Sequence, residues 1–113
     1  MTGFDRHPDG PYYAVIFTTK RTGGGDQEYG EMAEAMAKLS EKQPGYLGIE
    51  SVRGEDGVGI TVSYWRDQAS IKAWKAVAEH LIAQKSGRGR WYQWYNLRIA
   101  KVERGYSFER DEE

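Results

Sequence analysis

The stretch YLGIESVRGEDGVGITVSYW, residues 46–65, decides the fold. It contains two runs rich in β-branched and aromatic residues, Tyr46–Arg53 and Val58–Trp65, and both are typical of β-strands. The segment GEDG between them is typical of a hairpin loop, because glycine permits the tight change of direction. Successive side chains of a strand point to opposite sides, so Tyr64 and Trp65 lie on different faces. The stretch therefore predicts an antiparallel hairpin with an aromatic residue on each face.

An amphipathic helix is predicted on either side of this hairpin. From Asp26 to about Gln43, apolar residues, Tyr29 among them, recur at three- and four-residue spacing, and Asp26 is the expected N-cap. Pro44 and Gly45 then stop the helix. The second helix follows Asp67, its expected N-cap, and its apolar stripe contains Ile71, Trp74, Ala78 and Leu81. Each helix therefore has one face suited to cover a sheet.

Two further strands are predicted, Tyr12–Lys20 and about Trp94–Tyr106. Both carry apolar residues on both sides, which indicates a sheet with neither face left in water. In the last strand the apolar positions change side near Ala100, so a bulge is expected there.

The resulting order β-α-β-β-α-β predicts an α+β, ferredoxin-like fold, with an antiparallel sheet and two helices on one of its faces. The other face carries more apolar surface than a single soluble chain normally exposes. We therefore expect a homodimer that pairs through the sheet faces.

The 113 residues are enough for one domain. We expect this domain to cover residues 12–106, with a flexible arm at 1–11 and an acidic tail at 107–113. The net charge of -1 argues against nucleic-acid binding, which requires a basic surface. Because the sequence has neither a membrane-spanning apolar run nor a secretory signal, we expect no membrane association and a cytoplasmic location.

The residue types restrict the available chemistry. The chain has no cysteine, which excludes thiolate metal sites, and its two histidines, His7 and His80, argue against a multi-histidine site, so no metal is expected. Carboxylates, hydroxyls, aromatic rings and a single histidine remain. The four tryptophans and eight tyrosines need a core, a pocket or an interface to occupy.

Four short features occur in order between Pro44 and Tyr106. They are Pro44-Gly45-Tyr46-Leu47 after the first helix, Tyr64-Trp65 at the end of the third strand, Ile71-x-x-Trp74 in the second helix, and His80 six residues after Trp74. Together they resemble the antibiotic biosynthesis monooxygenase family of dimeric α+β barrels. The resemblance extends over about Tyr12–Tyr106 and implies a homodimer with one pocket per subunit, between the helices and the sheet.

The resemblance also implies an oxidoreductase. Family members include cofactor-independent monooxygenases that oxidise phenol- or quinol-type molecules, in which the deprotonated substrate itself reduces oxygen. A chain without metal-binding clusters fits that chemistry, because an electron-rich substrate supplies the electrons. We therefore expect a monooxygenase of a small aromatic phenol or quinol, with no cofactor.

His80 is the expected catalytic residue. It lies at the margin of the apolar stripe of the second helix, where a pocket would open. Histidine is a common general base in enzymes, so its imidazole could accept a phenolic proton. The alternative is a surface or half-buried histidine with a structural role. Trp74, on the same helix, is expected either to line the pocket and stack on a planar substrate or to belong to the core.

Three more aromatic residues are expected to bind substrate. Tyr64 and Trp65 point to opposite faces, and the sequence leaves open which of them faces the pocket. Trp91 begins the cluster WYQWY after a basic linker that contains Arg88 and Arg90. This cluster is either a pocket lid or interface anchor, or a staple that holds the helix end on the sheet.

Two other functions remain open on the sequence. A haem-binding or haem-degrading protein would use His80 as the axial ligand and Arg88 or Arg90 for the propionates. A non-catalytic, stress-associated dimer would hold a small apolar ligand or none, because a fold does not determine a function.

Overall fold

The computed structural model describes residues 10–84 and 90–111. Its elements, in chain order, are β1 Tyr12–Arg21, α1 Asp26–Glu41, β2 Tyr46–Arg53, β3 Val58–Trp65, α2 Gln68–Gln84 and β4 Tyr92–Val102. The four strands form one antiparallel sheet in the order β2-β3-β1-β4. This order places the first and third strands at the centre, as the split β-α-β arrangement requires. The predicted α+β, ferredoxin-like fold is confirmed.

The hairpin has the bounds that the sequence predicted for β2 and β3. The Gly54 amide donates to the Val58 carbonyl at 2.9 Å and closes the loop. Farther along the pair, Ser51 and Thr61 lie opposite each other, and their hydroxyl oxygens are 2.8 Å apart. Such cross-strand hydroxyl pairs help to fix the register of a sheet.

The core consists of two clusters on the helical side of the sheet. One contains Val15, Trp65 and Ile71, and the other contains Met32, Trp91 and Tyr92. Trp65 is fully buried, with 0% of its surface exposed, and it packs against α2 through Ile71. On the opposite face, the Tyr64 ring meets the Tyr12 ring edge-on at 5.8 Å. The sequence left open which of the two residues lies on the helical face of the sheet. In the structure Trp65 faces the helices and Tyr64 faces away from them.

The N-cap of α1 is Gly25, not Asp26 as the sequence predicted. Gly25 has φ 64°, which favours glycine, and a Cβ there would lie 3.1 Å from the Trp91 indole nitrogen. Asp26 instead forms an ion pair with Arg21 at 3.1 Å. The helix start therefore depends on a close approach to Trp91 and not on a side-chain cap.

The N-cap predicted for α2 is confirmed. Asp67 Oδ1 accepts a hydrogen bond from the Ser70 amide at 2.8 Å. Gly45, which the sequence predicted as a helix stop, has φ 83°, and a Cβ there would collide with the Ser70 side chain. Glycine at position 45 therefore lets the β2 entry pack directly against the first turn of α2.

The last strand differs from the prediction. It begins at Tyr92 and ends at Val102, so it starts and ends earlier than expected. Lys20 pairs with Trp94 and Arg21 with Tyr92, which leaves Gln93 as an extra residue opposite the Lys20–Arg21 step. The irregularity predicted near Ala100 was wrong, because Ala100 pairs regularly with Ala14. Apolar residues occur on both sides of β4 because both faces of the sheet are apolar.

The strands and helices span residues 12–102, and residues 103–111 form neither. In that terminal segment Tyr106 and Phe108 are exposed. The domain limits at residues 12 and 106 stay predictions, and most of the arm and the last two residues of the tail lie outside the described residues. In the part of the chain that the structure describes, neither helix is long and apolar enough to cross a membrane.

Candidate functional site

A cavity of about 350 Å³ lies between the helices and the sheet. It is lined by members of both core clusters, together with side chains from β1, β4 and both helices. The apolar part of the lining includes Val15, Phe17, Met32, Met36, Ile71, Trp74, Ile82 and Leu97. Its size and apolar walls are typical of a site for a small organic molecule.

The cavity exists because the helix faces that point into it carry small residues. Ala37 and Ser40 of α1 and Ala78 of α2 are part of the lining. The Ser40 hydroxyl donates back to the Ala37 carbonyl at 2.7 Å, so its polar group is satisfied within the helix. Larger apolar residues at these positions would fill the space between helix and sheet.

One corner of the cavity is polar and is organised around Tyr29 of α1. The Arg53 guanidinium donates from Nη2 to the Tyr29 hydroxyl oxygen at 3.0 Å and from Nη1 to the Gly57 carbonyl at 2.7 Å. The Tyr92 ring meets the Tyr29 ring edge-on, with their centroids 5.8 Å apart. Tyr29 and Tyr92 both line the cavity. We call Tyr29, Tyr92, Arg53 and Arg21 the Tyr29 corner.

Arg21 holds the Tyr29 ring in place from one side. Its guanidinium carbon lies 3.7 Å from the ring centroid, which is a close cation–π contact. The same guanidinium donates to the carbonyls of Trp91 at 3.1 Å and Gly24 at 2.9 Å, so its own position is fixed. Trp91 meets the Tyr29 ring edge-on at 5.9 Å. The phenol is therefore held by contacts with both its ring and its oxygen.

Burial dominates the electrostatics of Tyr92. It raises the pKa of the Tyr92 hydroxyl well above its usual range, and the nearby Tyr29 raises that pKa further. Arg21 and Arg53 act in the opposite direction on the pKa of Tyr92 without reversing the shift. Tyr92 therefore stays protonated at neutral pH.

The α2 side of the cavity carries charged groups. Lys75 and Glu79 are one helical turn apart and line the cavity, and both residues are exposed. Glu79 is the one carboxylate in the lining formed by the described residues. This wall therefore provides a proton acceptor and a cation where the cavity meets solvent.

Comparison with known proteins identifies the family of the chain. The family model described as antibiotic biosynthesis monooxygenase matches residues 12–86. The chain belongs to this family. The uncharacterized protein YqjZ of Bacillus subtilis is 47% identical over 109 residues, which are 96% of this chain and 95% of YqjZ. The jasmonate monooxygenase ABM of Pyricularia oryzae is 30% identical over 94 residues, which are 80% of this chain and 43% of that protein.

Solved structures share the fold of this antibiotic biosynthesis monooxygenase family member. PA3566 of Pseudomonas aeruginosa superimposes with a TM-score of 0.63 at 18% identity, covering 84% of this chain and 95% of that one. SnoaB of Streptomyces nogalater, a cofactor-independent oxygenase, superimposes with a TM-score of 0.60 at 14% identity, covering 89% and 99%. At these identities the likeness establishes the fold alone.

One of the five site residues predicted from the sequence, Trp74, lines the cavity. Trp65 lies behind it, with its ring stacked on Trp74 at 6.0 Å, and does not line the cavity itself. Tyr64 lies on the other face of the sheet, where its hydroxyl donates to Glu50 Oε2 at 2.6 Å. Trp91 is buried in the second core cluster beneath the Tyr29 corner. The structure thus separates these aromatic residues onto two faces.

His80 is exposed and is not part of the cavity lining, although it follows Glu79, which is. Its role as a base stays a prediction. Arg90 pairs with Glu28, and Arg88 lies outside the described residues. In residues 10–84 and 90–111 no cluster of three metal-ligating side chains occurs. Haem binding through His80 stays an alternative prediction.

The Tyr29 corner was missed in the sequence. Tyr29 was assigned only to the apolar stripe of α1, and Arg53 only to the end of a strand. The pattern contained one usable signal, a tyrosine in the first turns of a core-facing stripe, because a buried phenol needs a partner for its hydroxyl. The partner, Arg53, is distant in sequence and could not be found by spacing.

Proposed function

We propose that this chain is a cofactor-independent monooxygenase that acts on a small aromatic molecule of the phenol or quinol type. The cavity between helices and sheet carries this proposal, because it combines apolar walls with one polar corner and one carboxylate. Phe17, Trp74 and Tyr95 supply ring faces for a planar substrate. Family membership supports an oxygenase, and the lining supports the substrate class.

The reaction needs no external reductant. The substrate loses a proton from an acidic O–H or C–H group, and the anion transfers one electron to O₂. The radical pair combines into a C–O bond, and the peroxide then loses water to leave a carbonyl group. For a CH₂ group, one oxygen atom enters the product, and the other leaves as water with both hydrogens. The protein contributes positioning, a base and stabilisation of the developing charge.

We assign the base to Glu79. Glu79 is one of the residues that line the cavity, and it belongs to the same helix as Trp74, so a substrate stacked on that ring lies close to α2. Lys75, one turn earlier, provides a positive charge that favours an anionic substrate at the same wall. His80, the base suggested by the sequence, is the competing assignment.

We also propose that the protein is a homodimer that pairs through the sheet faces. The face opposite the helices leaves Val52 68% exposed, and Ile60 and Trp94 each 42% exposed. Val52 and Ile60 lie directly opposite each other on neighbouring strands, so their side chains form one apolar surface. A second copy of the same surface is the simplest cover for it.

Oxygen uptake by metal-depleted protein tests the proposed activity. The substrate panel contains an anthrone, a quinol and jasmonate, the last because a relative is a jasmonate monooxygenase. We expect catalytic oxygen consumption with the anthrone or the quinol, unaffected by a chelator. If oxygen is consumed with jasmonate and with neither of the other two compounds, the proposed aromatic substrate class is wrong and an alicyclic substrate takes its place. No consumption above the protein-free rate with any of the three would contradict the activity and would favour a non-catalytic dimer.

A further inference from the structure

We propose that Tyr29 is a catalytic residue that donates a hydrogen bond to the substrate oxygen on which negative charge develops, and that Arg53 and Tyr92 position it. This inference rests on the proposed monooxygenase function and names the group that stabilises its anionic intermediate. It also defines the substrate further, as a molecule with a hydroxyl or carbonyl oxygen conjugated to the carbon that is oxidised.

The proposal rests on the hydrogen-bond partners of the Tyr29 hydroxyl. A tyrosine hydroxyl has one proton to donate and accepts through its oxygen. Arg53 Nη2 donates to that oxygen at 3.0 Å. Because a guanidinium acts only as a donor, the proton of Tyr29 remains for an acceptor, and Tyr29 is one of the residues that line the cavity. The hydrogen bond with Arg53 is exposed, so an oxygen of a bound molecule would accept this proton in place of water.

The charge around Tyr29 makes it a strong donor. A hydroxyl that accepts a bond from a guanidinium is polarised and donates more strongly in turn. The guanidinium carbon of Arg21 lies 3.7 Å from the centroid of the Tyr29 ring, and that of Arg53 lies 5.6 Å from the same centroid. Asp26 is paired with Arg21 at 3.1 Å and offsets part of that charge. The positive charge of Arg53 therefore acts on the substrate oxygen through Tyr29.

The groups that hold Tyr29 also fix its direction. Arg21 covers a face of the ring, while Trp91 at 5.9 Å and Tyr92 at 5.8 Å meet it edge-on. A donor that is already held in place loses little entropy when the anion forms, and this is the condition for strong stabilisation of a transition state. An exposed tyrosine without these contacts would not meet that condition.

Binding of para-nitrophenol tests the proposal without turnover. Its phenolate is coloured, so absorbance across a pH series reports how strongly the protein prefers the phenolate to the phenol. The variants are Tyr29→Phe, which keeps the ring, Arg53→Met, which removes the donor to Tyr29, and Tyr46→Phe as the matched control. Tyr46 is a half-buried tyrosine that packs on Trp65 and does not line the cavity.

We expect the parent and Tyr46→Phe to bind the phenolate preferentially, and Tyr29→Phe to lose about 10-fold of that preference, as for one hydrogen bond to a charged group. Arg53→Met should lose a smaller part of the preference for the phenolate, because it keeps the Tyr29 hydroxyl. A parent protein that shows no preference for the phenolate, or a preference that survives Tyr29→Phe, would overturn the proposal.

Turnover separates this inference from the proposed function. With a substrate that the parent oxidises, Tyr29→Phe should lower kcat about 100-fold and leave KM within a few-fold. If the parent consumes oxygen and Tyr29→Phe matches it, the role of Tyr29 is wrong and the proposed function stands. If no substrate is oxidised but the phenolate preference depends on Tyr29, the monooxygenase function is wrong and the donor role of Tyr29 is supported.

Discussion

The indole ring of Trp74 stacks on that of Trp65, with their centroids 6.0 Å apart and their planes 23° from parallel. Trp74 lines the cavity, whereas Trp65 is completely buried and donates from its indole nitrogen to the Ser63 hydroxyl at 2.8 Å. The cavity wall is therefore supported from behind by a ring that is itself fixed by a hydrogen bond. This support lets Trp74 present a defined flat surface to a planar substrate.

Filling the cavity should reduce activity without unfolding the protein. Ala37 lines the cavity, and Ala37→Leu adds three carbons to its apolar wall. We expect kcat/KM to fall about 10- to 100-fold, in the range by which apolar pockets discriminate between substrates that differ by a methylene group. Steady-state oxygen uptake checks this expectation.

Ala35→Leu is the matched control for this filling. Ala35 is exposed on the same helix and does not line the cavity, so we expect its replacement to leave kcat/KM unchanged. Equal activity of Ala37→Leu and the parent, with both variants folded by circular dichroism, would show that the substrate does not occupy this cavity.

Glu79 and His80 are neighbours in sequence, but only Glu79 lines the cavity. We expect Glu79→Gln to lower kcat about 100-fold, because a general base contributes rate factors of this order. His80→Ala should stay close to the parent. The pH dependence of kcat/KM in the parent provides a second measurement. A large loss in His80→Ala together with full activity of Glu79→Gln would contradict this assignment and support the histidine predicted from the sequence.

Asp67 should make α2 sensitive to acid. The hydrogen bond from the Ser70 amide holds the pKa of the Asp67 carboxyl below its usual value. Its stabilising contribution is therefore present above the pKa of the unfolded chain, about 3.9, and is lost as the pH falls through the lower folded value. We expect Asp67→Asn to lose fewer degrees of Tm than the parent between about pH 7 and about pH 3. Equal losses in both proteins would contradict this role, and Glu34→Gln is the control for an exposed carboxylate.

Tyr64 should make the protein sensitive to alkali. Burial raises the pKa of its hydroxyl, and the hydrogen bond to Glu50 raises it further. Because the folded value lies above the unfolded one of about 10, this stabilisation is complete below about pH 10 and is lost as the pH rises. Between about pH 8 and about pH 11, the urea midpoint of unfolding should therefore fall less in Tyr64→Phe than in the parent. A larger fall of the urea midpoint in the variant than in the parent would contradict this role of Tyr64.

If the protein is the proposed dimer, a charge placed on the sheet face opposite the helices should dissociate it. Ile60→Lys places a charge on the exposed apolar surface formed with Val52. We expect the parent to have twice the mass of the chain by light scattering, and the variant to dissociate because an unpaired charge at an interface is costly. Glu31→Lys, on an exposed position of α1, should leave the mass unchanged. A parent with the mass of a single chain would contradict the dimer.

The fold could be predicted from local pattern because its signals are local. The hairpin bounds, the apolar stripes of the helices and the Asp67 cap depend on residues close together in sequence. The start of α1 could not be predicted in the same way. Its conformation depends on Gly25 approaching Trp91, which belongs to the other end of the chain. The bulge at Gln93 likewise depends on the pairing with Arg21.

The candidate site could be predicted only in part. Trp74 was identified because an aromatic residue on a helix stripe is a local signal. Tyr29 and Arg53 become a unit only when α1 packs beside the end of β2, and the sequence contains no spacing rule for that contact. His80 was selected for its residue type, whereas the geometry of the cavity favours its neighbour Glu79.

Isotope labelling tests the central claim most directly. Metal-depleted protein is incubated with the best anthrone or quinol substrate under oxygen-18 gas in ordinary water, and the product is analysed by mass spectrometry. We expect one labelled oxygen atom in the product and one O₂ consumed per product, and we expect Ala37→Leu to form this labelled product about 10- to 100-fold more slowly. A product that takes its new oxygen from water, or labelling that does not depend on the cavity, would contradict a monooxygenase acting at this site.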